Sequence, residues 1–140
     1  MHPQASVLVV DDESFIRQIL SRIVSREGYQ VHQASDGKDA LKSLAETPCQ
    51  IVISDIKMPN MDGIELLSEI KANYAHVSVI LITAYAGEYS VQDALSAGAD
   101  AFITKPFKNV EIAETLRNVL VKNLQRQQKA AQTPESTSPK

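Results

Sequence analysis

A strict alternation most limits what this chain can fold into. Short runs of β-branched and aliphatic residues take turns with longer segments whose apolar residues recur at helical spacing. Four runs carry almost no polar residue: Val7-Leu8-Val9-Val10, Ile51-Val52-Ile53, Val79-Ile80-Leu81-Ile82 and the weaker Ala101-Phe102-Ile103. Such continuous runs suit strands covered on both faces, as in a parallel sheet. A fifth candidate, Tyr29-Gln30-Val31-His32, alternates apolar and polar residues, the pattern of a half-exposed edge strand. Helical stripes lie between the runs. Phe15, Ile16, Ile19, Leu20, Ile23 and Val24 form the first, and Gly28 is placed to stop it. Ala40, Leu41, Leu44 and Ala45 follow Gly37, and Ile64, Leu66, Leu67 and Ile70 follow Asp62-Gly63. Val91, Ala94 and Leu95 precede Gly98, and Ile112, Leu116, Val119 and Leu120 form the last stripe. Five βα units predict an α/β fold with a parallel sheet between helices. They are too few for an eight-stranded barrel. What remains is an open, doubly wound, five-stranded parallel sheet with five helices.

A chain of 140 residues with 44% hydrophobic residues can bury one core. We place that domain at residues 1–122. Residues 123–140 read as a polar, Gln-rich helical extension and, from Thr133, a disordered tail rich in Pro, Ser and Thr. Net charge is −3, so no basic field argues for direct nucleic acid binding, and no helix-turn-helix follows residue 122. No apolar stretch approaches the roughly 20 residues that span a membrane. The N-terminus is polar and lacks a signal-peptide pattern. The single cysteine, Cys49, cannot form an internal disulfide, which fits a reducing, cytoplasmic setting. His2, His32 and His76 show no metal-ligand spacing.

In a parallel sheet all strands end at one edge, where ligand sites form. Strand one ends in Asp11-Asp12, strand three in Ser54-Asp55, strand four in Thr83-Ala84, and strand five leads into Thr104-Lys105-Pro106. Three carboxylates, a hydroxyl and an ammonium should therefore converge. Clustered carboxylates repel, and a hard cation such as Mg²⁺ relieves that repulsion. An Asp in such a site is a plausible nucleophile toward phosphorus. Phosphoryl transfer asks mainly for positioning and charge neutralisation. Lys105 and the Thr83 hydroxyl could each meet a phosphoryl oxygen, and small Ala84 leaves room. Taken singly, each motif is ordinary: Asp-Asp caps helices, Lys-Pro makes turns, and a Thr ends many strands.

Together they resemble the response-regulator receiver family. The resemblance rests on Val9-Val10-Asp11-Asp12-Glu13, on Asp55-Ile56-Lys57-Met58-Pro59-Asn60-Met61-Asp62-Gly63, on Leu81-Ile82-Thr83-Ala84, and on Gly98 through Phe107, and it covers about residues 5–122. It implies a flavodoxin-like strand order, 2-1-3-4-5. It implies that Asp55 is the phosphoacceptor, that Asp12 ligates Mg²⁺ directly, that Asp11 acts through a metal-bound water, and that the Lys57 carbonyl is a further ligand. Lys105 would pair with the phosphoryl group, and its bond to Pro106 would be cis. Thr83 and Phe102 would form a switch pair that reshapes the surface of helix four, strand five and helix five. The implied donor is a histidine kinase, a phosphotransfer protein or a small phosphodonor, and the implied outcome is binding of an output protein or homodimerisation on phosphorylation. Tyr85 and Lys57 flank the site in the family, and the bulk of Tyr85 would hinder hydrolysis.

The chain could act alone or as the receiver part of a longer regulator; Leu116, Leu120 and Leu124 form a row that could meet a second copy, but Leu116 and Leu120 are read as facing the sheet, and fewer than two heptads continue the row. A Mg²⁺-dependent phosphohydrolase with an Asp nucleophile would need a second acid two residues on, where Asp55 has Lys57 and Asp12 has Ser14. A nucleotide or flavin carrier lacks support, since neither G-x-x-x-x-G-K-[ST] nor G-x-G-x-x-G occurs.

Overall fold

The computed structural model describes residues 5–84 and 91–137. Among them strands and helices alternate without exception: β1 (Ser6–Val10), α1 (Ser14–Arg26), β2 (Gln30–Ala34), α2 (Gly37–Glu46), β3 (Ile51–Asp55), α3 (Gly63–Asn73), β4 (Ser78–Thr83), α4 (Val91–Ser96), β5 (Ala101–Thr104) and α5 (Asn109–Thr137). The strands form one sheet in the order β2-β1-β3-β4-β5, and every pairing is parallel. The expected fold class, edge position of strand two and strand order all hold.

The period of two along each strand splits the apolar runs between two cores. Leu8, Val10, Val52, Val79 and Leu81 join Ala40, Leu44, Leu66, Leu67, Ile70 and Ala94 from α2, α3 and α4. Val7, Val9, Ile51, Ile53, Ile80, Ile82 and Ile103 join Leu20, Ile23, Val24, Ile112, Leu116 and Leu120 from α1 and α5. Both faces are dry, so the runs do not alternate. Cys49 sits in the first core, 1% exposed, and burial lifts its thiol to a pKa of about 11. Gly28 and Gly98 adopt φ values of +96° and +107°, the left-handed conformation that ends a helix.

Besides Ala45, two large stripe residues face outward instead. Phe15 lies in the first turn of α1, and Leu95 lies on the short α4; they are 71% and 46% exposed. The stripe pattern could not separate a core position from its neighbour one residue away. The larger difference is at the C-terminus. α5 continues through the polar extension as far as Thr137, so residues 133–137, read as a disordered tail, have helical backbone. Packing also outlasts residue 122, because Asn123 is fully buried. The boundary drawn at 122 falls within one continuous helix. No helix among the described residues is long and apolar enough to cross a membrane.

Candidate functional site

The parallel sheet sends the C-terminal ends of β1, β3, β4 and β5 to one edge. Asp11 follows β1 and is 1% exposed; Asp55 ends β3 and is 7% exposed; Asp12 is exposed beside them. One carboxylate oxygen from each of these three lies within 4.8 Å of the other two. The Nζ of Lys105, just after β5, lies 3.5 Å from Asp11 Oδ2 and 3.5 Å from Asp55 Oδ2. Residues 94 and 50 positions apart thus meet through one ammonium. The bond from Lys105 to Pro106 is cis, as the motif implied.

Sequence reasoning missed two neighbours. Glu13 Oε1 lies 4.0 Å from Lys105 Nζ, and the Glu13 backbone N–H donates to Asp11 Oδ1 at 2.9 Å. Arg17, one turn into α1, donates from Nη1 to the Asp11 carbonyl at 2.6 Å and from Nε to Gln33 Oε1 at 3.2 Å. It fastens the end of β1 to β2. An Arg on an amphipathic helix carries no sequence signal for such a role.

The electrostatics follow from burial. Desolvation, reinforced by the Asp11 charge and opposed by Lys105, pushes Asp55 up from 3.8 to about 6. Desolvation likewise raises Asp11, against its hydrogen bond from Glu13 and the charge of Lys105. Burial works against the Lys105 charge, yet Asp11 and then Asp55 outweigh it and lift its pKa above the ordinary value. Three carboxylates against one ammonium leave an excess of negative charge in a sheltered place. That donor set, all oxygen and poorly neutralised, fits a small hard cation.

The remaining expected residues are placed as follows. Thr83, fully buried, ends β4, and its register partner on β5 is Thr104. Phe102 pairs with Leu81, so Thr83 and Phe102 share a face of the sheet, the ring packing half-buried against the first core. Lys57 is exposed on the turn after Asp55. That turn is tightly built. The Ile56 N–H donates to the Ile82 carbonyl at 3.0 Å, Asn60 takes a φ of +73°, and Asp62 and Glu65 close a capping box at the start of α3. Gly63 follows the cap, with its N–H 2.7 Å from the Ile56 carbonyl. Ala84 directly follows Thr83 and is exposed; Tyr85 lies outside the described residues.

The family profile described as "Response regulator receiver domain" matches residues 7–117. The chain belongs to the response-regulator receiver family. This receiver is 36% identical over 114 residues to sporulation initiation phosphotransferase F of Bacillus subtilis, covering 81% of this chain and 92% of that one. It is 37% identical to the chemotaxis protein CheY of Thermotoga maritima, covering 81% and 95%. It is 40% identical over 101 residues to the regulatory protein AtoC of Escherichia coli, covering 72% of this chain and only 22% of that one. Among solved structures, a CheY-like receiver domain protein from Methanospirillum hungatei superposes with a TM-score of 0.82 at 29% identity, covering 88% and 98%. NtrX from Brucella abortus gives 0.85 at 30% identity, covering 91% of this chain and 29% of that one. Relatives therefore include chains of similar length and much longer regulators. Receivers are phosphoacceptor switches of two-component systems, phosphorylated on Asp, and they interact with histidine kinases or phosphotransfer proteins. They generally bind Mg²⁺ at an acidic pocket.

Proposed function

We propose that this receiver accepts a phosphoryl group on Asp55 from a histidine kinase, a phosphotransfer protein or a small donor such as acetyl phosphate. The observation that carries the reading is the Lys105 ammonium, 3.5 Å from each of two buried carboxylates, with Asp12 completing an acidic trio. Asp11, Asp12, Asp55 and the main-chain carbonyl of Lys57 would hold Mg²⁺. When bound, the cation neutralises the carboxylates and the charge on the phosphoryl oxygens.

In the transfer, an Asp55 carboxylate oxygen bonds to phosphorus. The bond from phosphorus to the donor's imidazole nitrogen or acyl oxygen breaks, and the donor keeps the electron pair. Lys105 is placed to follow charge from the Asp55 carboxylate onto the phosphoryl group. The Thr83 hydroxyl takes another phosphoryl oxygen, and Ala84 leaves space for it. These residues assist gain and loss of the group on their own chain, which makes the protein a switch rather than a turnover enzyme. Thr83 and Phe102, on one face of adjacent strands, carry the change toward α4, β5 and α5 as a population shift. That surface then binds an output protein or a second copy. Exposed Phe15, next to the site, offers apolar contact to a phosphodonor protein. A cytoplasmic place of action fits donors of this kind.

Incubation with acetyl phosphate, followed by intact-mass measurement and peptide mapping, tests the reading. One phosphoryl group is expected, on the peptide that contains Asp55, and only when Mg²⁺ is present. A label on another residue, or continuous hydrolysis of the donor without stoichiometric labelling, overturns it. Lys105→Met is expected to slow labelling at least about tenfold, an ammonium's worth of charge stabilisation. Labelling at the wild-type rate would remove Lys105 from the site.

A further inference from the structure

Helix α5 does not stop packing where its apolar stripe stops. Ile112, Leu116, Val119 and Leu120 are buried against the sheet, and the same helical spacing then brings Asn123, Arg126 and Gln127. By that point the helix has reached the edge where strands begin, opposite Asp55. Asn123 is 0% exposed there. Its side-chain Nδ2 lies within hydrogen-bond distance of the Gln50 carbonyl at 3.2 Å, the His76 carbonyl at 2.8 Å and Ser78 Oγ at 2.9 Å, its two N–H groups shared among the three acceptors. Its Oδ1 accepts from Gln127 Nε2 at 2.6 Å. Arg126 donates to the same Ser78 hydroxyl and stands 3.4 Å from Asp100 Oδ1. Asp100 is itself held, accepting the Val79 N–H at 2.8 Å and pairing with Lys71 Nζ at 3.1 Å. One turn of α5 is thus tied to the entry points of β3, β4 and β5 and to the end of α3.

Two physical facts make this arrangement consequential. A buried amide whose polar atoms are all satisfied resists movement, because any displacement leaves buried groups unpaired. And a polar helical segment draws little stability from propensity alone; in proteins most of it comes from tertiary anchoring. The segment after Leu120 has few apolar anchors; Val121 and Leu124 are partly exposed.

We infer that Asn123, with Arg126 and Ser78, is a clamp that fixes the direction in which α5 leaves the domain and sustains helix beyond the apolar core. Anything that docks on the extension then meets a strut held in one orientation to the sheet. This device does not depend on phosphorylation of Asp55.

Amide hydrogen exchange on the full chain, without phosphodonor or Mg²⁺, tests it. In Asn123→Leu, which keeps the number of side-chain heavy atoms and removes the hydrogen bonds, amides of residues 121–129 are expected to exchange at least about tenfold faster. Amides of β1, β3 and residues 112–119 should stay within about twofold of wild type. Arg126→Met should accelerate the same amides by a smaller factor. It decides the question by the same criteria if Asn123→Leu does not fold, since the Arg126 side chain is half exposed. Unchanged exchange in the extension overturns the clamp. So does acceleration spread evenly over the sheet and the whole of α5, which would make these bonds ordinary contributors to global stability.

Discussion

Asp55→Asn is expected to take up no phosphoryl group and, in metal-free buffer, to melt at a higher temperature than the wild type. The first result follows from loss of the proposed nucleophile. The second follows from burial. The folded chain holds Asp55 at a pKa of about 6, against 3.8 for a free aspartate. Above pH 6 the fold therefore carries a charge that the unfolded chain carries more easily. A shift of that size corresponds to roughly 3 kcal/mol against folding at neutral pH. Asn removes this penalty, in which the attraction of Lys105 is already counted, so a gain of up to about 3 kcal/mol is expected. The penalty is fully present above the raised pKa, shrinks as pH falls from about 6 toward 3.8, and is gone only below about pH 3, where Asp is neutral in both states. The stability difference should follow that course in thermal melts with chelator across this range. Mg²⁺ should shrink it by stabilising the wild type. An Asp55→Asn protein that is less stable than the wild type in chelator would mean that the carboxylate is not electrostatically frustrated.

Gly63→Ala is expected to damage fold and site together. A Cβ at position 63 would stand 2.4 Å from the Asp55 carbonyl oxygen and 2.8 Å from the Ile56 Cα. Both are main-chain atoms at the end of β3 beside the Asp55 side chain, so no flexible side chain can give way. Either α3 backs away, straining its capping box, or the end of β3 moves and takes Asp55 with it. Overpacking of this kind costs about 1–3 kcal/mol. We expect the upper end of that range in urea unfolding, and labelling by acetyl phosphate slowed by about tenfold or more. Gly28→Ala is the matched control. Its φ of +96° is strained for alanine, yet nothing lies within 4 Å of the added Cβ, and it is remote from the site. That change should cost about 1 kcal/mol and leave labelling unaltered. Equal effects of the two substitutions on labelling would refute the steric account of Gly63.

Legibility in the sequence followed the kind of force involved. The strands were readable because both faces of the sheet are dry, which leaves unbroken runs such as Val79-Ile80-Leu81-Ile82. Edge strand β2 was readable for the opposite reason, its alternation. Asp11, Asp12, Asp55 and Lys105 were legible as a group because parallel strands deliver their ends to one edge. Asn123 was not. It opens a mostly polar stretch, and a polar residue that is buried because it is fully hydrogen-bonded looks in sequence like one that is solvated. Arg17 and Glu13 escaped notice because a charged residue near the start of an amphipathic helix reads the same whether it meets a partner or only water. Gly63 was visible only as the last letter of a motif; its need for a bare α-carbon appears once α3 is seen against the end of β3.

The position of Cys49 has a practical consequence for work on this protein. With the thiol shut inside the core and a pKa of about 11, well under about one molecule in a thousand presents a thiolate at neutral pH. Alkylating dyes and spin labels should pass it by in the native state. A cysteine introduced on the outer face of α5 would then be the one group to react, with the natural cysteine left in place. Distance measurements that follow the long helix can start from an otherwise unaltered chain.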